Sequence, residues 1–116
     1  HTLRELEALG EGLGFIRDLV ERFISDSNDL LQAMHDAVDQ HDLESFRDFA
    51  TALKGSSGSV GGVHLQRFCV RLAAISMADY RSDAGRLLQR LREHLQATQS
   101  ALLNYIDERS EKASRR

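Results

Sequence analysis

The sequence predicts an all-α fold, an antiparallel up-down four-helix bundle with a short extra N-terminal helix. Three observations carry that reading. No proline interrupts the 116 residues, and proline is the residue that most reliably breaks a helix. Apolar residues recur at spacings of three and four along almost the whole chain, which puts them on one face of a helical repeat. The glycines fall in groups (Gly10, Gly12 and Gly14; Gly55, Gly58, Gly61 and Gly62; Gly85 alone), and such groups mark breaks and close approaches. With 41% apolar and 28% charged residues, the chain has the balance of one globular domain rather than of a disordered segment.

Each element follows in turn. Leu3, Leu6 and Leu9 space a short N-terminal helix ending at Gly10. A long helix runs from about Gly14 to Gln40, with Phe15, Ile16, Leu19, Val20, Phe23, Ile24, Leu30, Leu31, Met34 and Val38 in one stripe. His41-Asp42 makes the turn, and Asp42 suits the N-cap of the next helix, where a short acidic side chain accepts a free backbone N–H. That helix carries Leu43, Phe46, Phe49, Ala50, Leu53, Ser57 and Val60 inward and ends at Gly61-Gly62. The following one holds Val63, Leu65, Phe68, Cys69, Leu72 and Ile75 and stops near Asp79-Tyr80. The last begins around Ser82 or Asp83 and carries Leu87, Leu88, Leu91, Leu95, Thr98, Leu102, Tyr105 and Ile106. The bundle thus covers residues 1–109, and the polar stretch 110–116 is a frayed tail. No stretch alternates with period two for long enough to make a strand.

Composition also excludes several function classes. No window approaches 18 uninterrupted apolar residues, so no membrane span is expected. Cys69 stands alone, which rules out an internal disulfide and a cysteine metal cage. A net charge of −3 argues against a general nucleic-acid binder. His1, His35, His41, His64 and His94 show no ligand spacing, so no metal is expected, and each reads as a solvated surface histidine. No nucleophile–base pair, carboxylate pair or phosphate-cradling loop points to an active site of the chain's own, and no cofactor is implied.

The informative stretch is Ala50-Thr51-Ala52-Leu53-Lys54-Gly55-Ser56-Ser57-Gly58-Ser59-Val60-Gly61-Gly62. Glycine inside a helix costs about 1 kcal/mol relative to alanine. Close helix packing explains Ser57 and one glycine. It does not explain Gly55, which shares the outward face with Thr51 and Lys54 when Ala50 and Leu53 point inward. Arg47, one turn before Thr51, adds a second cation to that face. Arg47, Thr51, Lys54, Gly55 and Gly58 together form a flat, basic, small-residue surface that another protein bearing an anionic group could approach closely.

These residues, with Leu65, Cys69 and Leu72 one helix on, resemble the histidine-containing phosphotransfer (HPt) domain, whose pattern reads His-x-Leu-Lys-Gly-x-Ser. The resemblance implies a phosphorelay module that docks receiver domains of response regulators or hybrid kinases. Lys54 and Gly55 match the family's lysine and glycine. The family's phospho-accepting histidine falls on Thr51. The chain as written therefore lacks the acceptor, either as a natural binding-only HPt relative or as an unphosphorylatable variant of a domain that carries histidine there. The parent expected from the resemblance is a hybrid sensor histidine kinase anchored in the inner membrane, with this domain at its C-terminal end in the cytoplasm; a free-standing phosphotransfer protein is the alternative. A different class remains open: a dimerisation or adaptor bundle with the Gly55 face buried in a permanent interface.

Overall fold

The computed structural model describes residues 3–4 and 12–114. Four helices account for nearly all of them: α1 (Leu13–Asp39), α2 (Leu43–Ser59), α3 (Val63–Ala73) and α4 (Met77–Ser114). Short turns force each helix to run back along the last. α1 packs on α2 and α4, and α3 packs on α2 and α4, closing a four-helix bundle. There is no strand among the described residues. Leu3 and Arg4 are helical and Leu3 is buried. The remainder of the expected N-terminal helix, with Leu6 and Leu9, lies outside the described residues.

Two turns close in the same way. After α1, the Asp42 N–H donates to the Ala37 carbonyl at 2.8 Å and the His41 N–H to Val38 at 3.1 Å. After α2, the Gly62 N–H donates to Ser57 at 2.8 Å and the Gly61 N–H to Gly58 at 3.2 Å. Both are Schellman endings, which need a left-handed residue just past the helix. Gly61 takes it at φ 78, and His41 takes it at φ 55, where a side chain costs more than glycine would. Asp42 then caps α2, accepting from the Ser45 N–H at 3.0 Å and its hydroxyl at 2.7 Å. These two bonds hold the Asp42 carboxyl below its ordinary pKa.

Two predicted boundaries, on either side of the α3–α4 connection, are wrong. α3 ends at Ala73 rather than near Asp79-Tyr80, and α4 begins at Met77 rather than at Ser82 or Asp83. The reason is the Ser76 hydroxyl, which accepts the Asp79 N–H at 3.1 Å and starts the helix a turn and a half early. Tyr80 is consequently helical and buried. Its ring meets Phe46 edge-on at 5.2 Å, and its hydroxyl donates to the Ala37 carbonyl at 3.0 Å. At the other end α4 continues to Ser114, into the stretch expected to fray.

The core is the apolar stripe of each helix: Ile16, Val20, Phe23 and Met34 from α1, Phe46, Ala50 and Leu53 from α2, Leu65, Cys69 and Leu72 from α3, Leu88, Leu91 and Leu95 from α4. Two residues expected inward are not. Phe15 is 42% exposed and Val63 is 50% exposed. Val63 stands two residues before buried Leu65, about 200° around the helix at roughly 100° per residue. Ser27 is buried in the α1 stripe; its hydroxyl donates to the Ile24 carbonyl and accepts from the Gln99 amide at 3.2 Å, joining α1 to α4. No buried side-chain polar atom among the described residues lacks a partner.

Candidate functional site

α2 sets the site by its phase. Ala50, Leu53 and Ser57 are fully buried, so Thr51 and Gly55 face outward and Lys54 sits half-buried at the edge. A Cβ added at Gly55 would meet nothing within 4 Å. Its absence therefore serves no packing inside the molecule. Lys54 has no ion-pair partner among the described residues, leaving its charge available.

The other glycines of this stretch have a different purpose. A Cβ at Gly58 would come 2.6 Å from the Gln66 side-chain nitrogen on α3. One at Gly62 would lie 3.3 Å from both the Ser57 carbonyl and the Thr98 methyl. Gly58 and Gly62 thus let α2, α3 and α4 come together, and Gly58 is half-buried against α3 rather than open like Gly55.

Arg47 is turned away from Thr51. Its Nε donates to the Ile75 carbonyl at 3.0 Å, and its Nη2 donates to the same oxygen. The guanidinium thereby ties α2 to the α3–α4 connection. Of the two cations expected beside Thr51, Lys54 is the one whose charge is uncommitted. The Thr51 hydroxyl donates back to the Arg47 carbonyl at 3.0 Å. Among the described residues that carbonyl is its side-chain partner, and no base stands by to take its proton.

The remaining candidates disperse. His64 is exposed in the first turn of α3, across the glycine turn from Thr51, and lines a largely apolar groove of about 670 Å³ with Val60, His94 and Leu102. His94 is half-buried against Phe68, with ring centroids 4.8 Å apart, and His35 is half-buried with the Arg92 guanidinium 3.5 Å from its Nε2; neither is the free surface histidine expected. No group of His, Cys, Asp and Glu among the described residues could hold a metal ion. Burial pushes the Cys69 thiol from 9.0 up to about 11, with the Ser57 hydroxyl pulling weakly the other way; such a thiol is inert at neutral pH. Sequence reasoning missed Ser76 and Arg47 as fold-makers. The first carried a readable Ser-x-x-Asp signal; the second carried none, because its partner is 28 residues away.

No helix among the described residues is long and apolar enough to cross a membrane. Curated proteins give no match to this chain. Among solved structures, the chain superposes on histidine-containing phosphotransfer protein B (HptB) from Pseudomonas aeruginosa PAO1 with a TM-score of 0.80. That match covers 92% of this chain and 91% of the other at 22% identity, a likeness of fold. The Hpt domain family model matches residues 18–103, a span that holds Thr51, Lys54, Gly55 and the glycine turn. The chain belongs to the Hpt domain family, the phosphotransfer modules of two-component phosphorelays.

Proposed function

We propose that this domain docks receiver domains through the outward face of α2, around Thr51, Lys54 and Gly55, and that with threonine at position 51 it does not itself carry the phosphoryl group. The observation behind this reading is the open space at Gly55 beside the uncommitted Lys54 charge. A receiver's phospho-aspartate is an acyl phosphate. Transfer to histidine forms a P–N bond at a neutral ring nitrogen as the P–O bond breaks and the carboxylate leaves. Histidine supplies that nitrogen near neutral pH, where about half or more of it is deprotonated. A threonine hydroxyl is a weak nucleophile without a neighbouring base, and its phosphate ester would be too stable to return the group to a carboxylate.

The test is Thr51→His. The variant should gain an acid-labile, alkali-stable label from a phosphorylated receiver and pass it to a second receiver, while the unmodified chain takes none. Label on the unmodified chain would point to another acceptor, His64 first. A folded Thr51→His variant that no receiver of its source organism labels would favour a module that only binds. Docking is tested separately by Gly55→Trp, which should fold normally yet lose receiver affinity, because the new side chain stands between the two proteins. Lys54→Ala should weaken docking less, and the loss should shrink at high salt, since exposed charges are screened beyond about 8 Å in physiological buffer. In a hybrid sensor histidine kinase the docking receiver would belong to the same polypeptide; the parent reading frame decides that, and it also shows the native residue at position 51.

A further inference from the structure

A groove of about 390 Å³ opens between α3 and α4 beside their connection. Buried Phe68 and Leu72 and half-buried Leu87 form its apolar floor, Arg71, Arg86 and Arg90 supply positive charge, and Asp79 and Asp83 supply negative charge. The three arginines are not equivalent. Arg86 pairs with Asp83 at 2.9 Å. Arg71 and Arg90 have no carboxylate within ion-pair distance among the described residues. Yet both guanidinium groups lie 5.5 Å from the centroid of one ring, Phe68. Each gains from the ring's π face. Arg71 also lies in the last turn of α3, where the helix dipole favours a cation. That accounts for one arginine and not for Arg90, which sits well inside α4. From Val63 to Leu95, Arg67, Arg71, Arg81, Arg86, Arg90 and Arg92 outnumber Asp79, Asp83 and Glu93, in a chain whose net charge is −3.

We propose that this groove binds an acidic peptide segment of a protein partner, with carboxylates on Arg71 and Arg90 and a neighbouring apolar side chain against Phe68, Leu72 and Leu87. Two planar guanidinium forks suit carboxylates, which they can meet with paired charge-assisted hydrogen bonds. The apolar floor separates a peptide from a bare anion, which could not use it. The unpaired charges separate an acidic peptide from an apolar one, which would leave them unmatched. Thr51, Lys54 and Gly55 do not line this groove, so the site does not depend on the receiver-docking reading.

The experiment is fluorescence anisotropy of a labelled, blocked peptide of glutamates around a single central leucine, titrated with the whole chain. Binding should saturate, weaken as salt rises, and stay unchanged in Lys54→Ala. The double variant Arg71→Ala/Arg90→Ala should lose about fivefold or more in affinity, as expected for removing two partly exposed ion pairs. Both arginines are exposed, so the variant should still fold cooperatively, its thermal melt lowered only by the lost ring and helix-end contacts. The pair Arg71→Lys/Arg90→Lys, which keeps the charge and loses the fork, should retain part of the binding. The proposal is overturned if no saturable binding occurs, or if the folded double-alanine variant binds as the parent does. It is equally overturned if a peptide with glutamine in place of glutamate binds as well, or if inorganic phosphate binds as tightly as the peptide.

Discussion

The inward and outward faces of α2 are built from residues one or two positions apart, and they answer to different constraints. Inward, Ala50, Leu53 and Ser57 are fully buried, and each atom there has a neighbour; even the Ser57 hydroxyl is committed, donating to the Leu53 carbonyl at 2.7 Å. Outward, among the described residues, a Cβ at Gly55 would meet nothing within 4 Å and Lys54 has no ion-pair partner. A helix selected for stability alone would not place glycine on a solvated face. The contrast teaches that one side of α2 satisfies the bundle and the other is shaped for something outside it.

Four measurements can break or sharpen that contrast, taken from the largest expected effect to the smallest. Leu53→Ala should destabilise the fold by about 2–5 kcal/mol, because it removes a fully buried side chain and leaves a cavity. Urea unfolding reads this directly. A loss under about 1 kcal/mol would be a surface-like value and would mean that the helix phase, and the exposure of Thr51 and Gly55 with it, is misassigned.

The second concerns Cys69, which packs beside Ser57. Its folded pKa lies above its unfolded one, so the neutral thiol is the form the fold prefers. The associated stability is fully present below pH 9 and is lost as pH rises from 9.0 through about 11. Up to about 2–3 kcal/mol is at stake, since each tenfold change in proton affinity is worth roughly 1.4 kcal/mol. Comparing denaturation of the parent chain and Cys69→Ala across that range isolates it, and the variant should show the shallower decline. At neutral pH the native thiol should react with a thiol reagent far more slowly than the unfolded one.

Gly55→Ala should stabilise the domain by about 0.5–1 kcal/mol, since the site is helical and empty. The same change at Gly61, where φ is 78, should destabilise it. Thermal melts of the two alanine variants moving in opposite directions would confirm that the glycines of this stretch serve separate ends; melts moving together would dissolve the distinction. Smallest of all, Thr51→His should change stability by no more than about 0.5 kcal/mol, as for an exposed site without special contacts. A larger drop would show that the Thr51 hydroxyl bond to Arg47 matters to the helix.

Much of this molecule is legible along the chain because helical phase is a local property. The repeat of apolar residues locates the four helices, and burial of Ala50 and Leu53 follows from it, as does the outward position of Thr51 and Gly55. The Asp42 cap is legible for the same reason: it acts on Ser45, within one turn. Even the early start of α4 is written locally in Ser76 and Asp79, although the apolar stripe resuming at Leu87 outweighs it. What tertiary structure alone decides are the pairings between residues far apart in sequence. Arg47 reads as a free cation until the fold brings the Ile75 carbonyl to it. Gly58 and Gly55 look alike until α3 presents Gln66 to one and nothing to the other. Arg71 and Arg90 are ordinary polar-face residues on two helices until the packing of α3 on α4 sets both over Phe68. Periodicity says which way a side chain points; what it meets there depends on how separate helices are brought together.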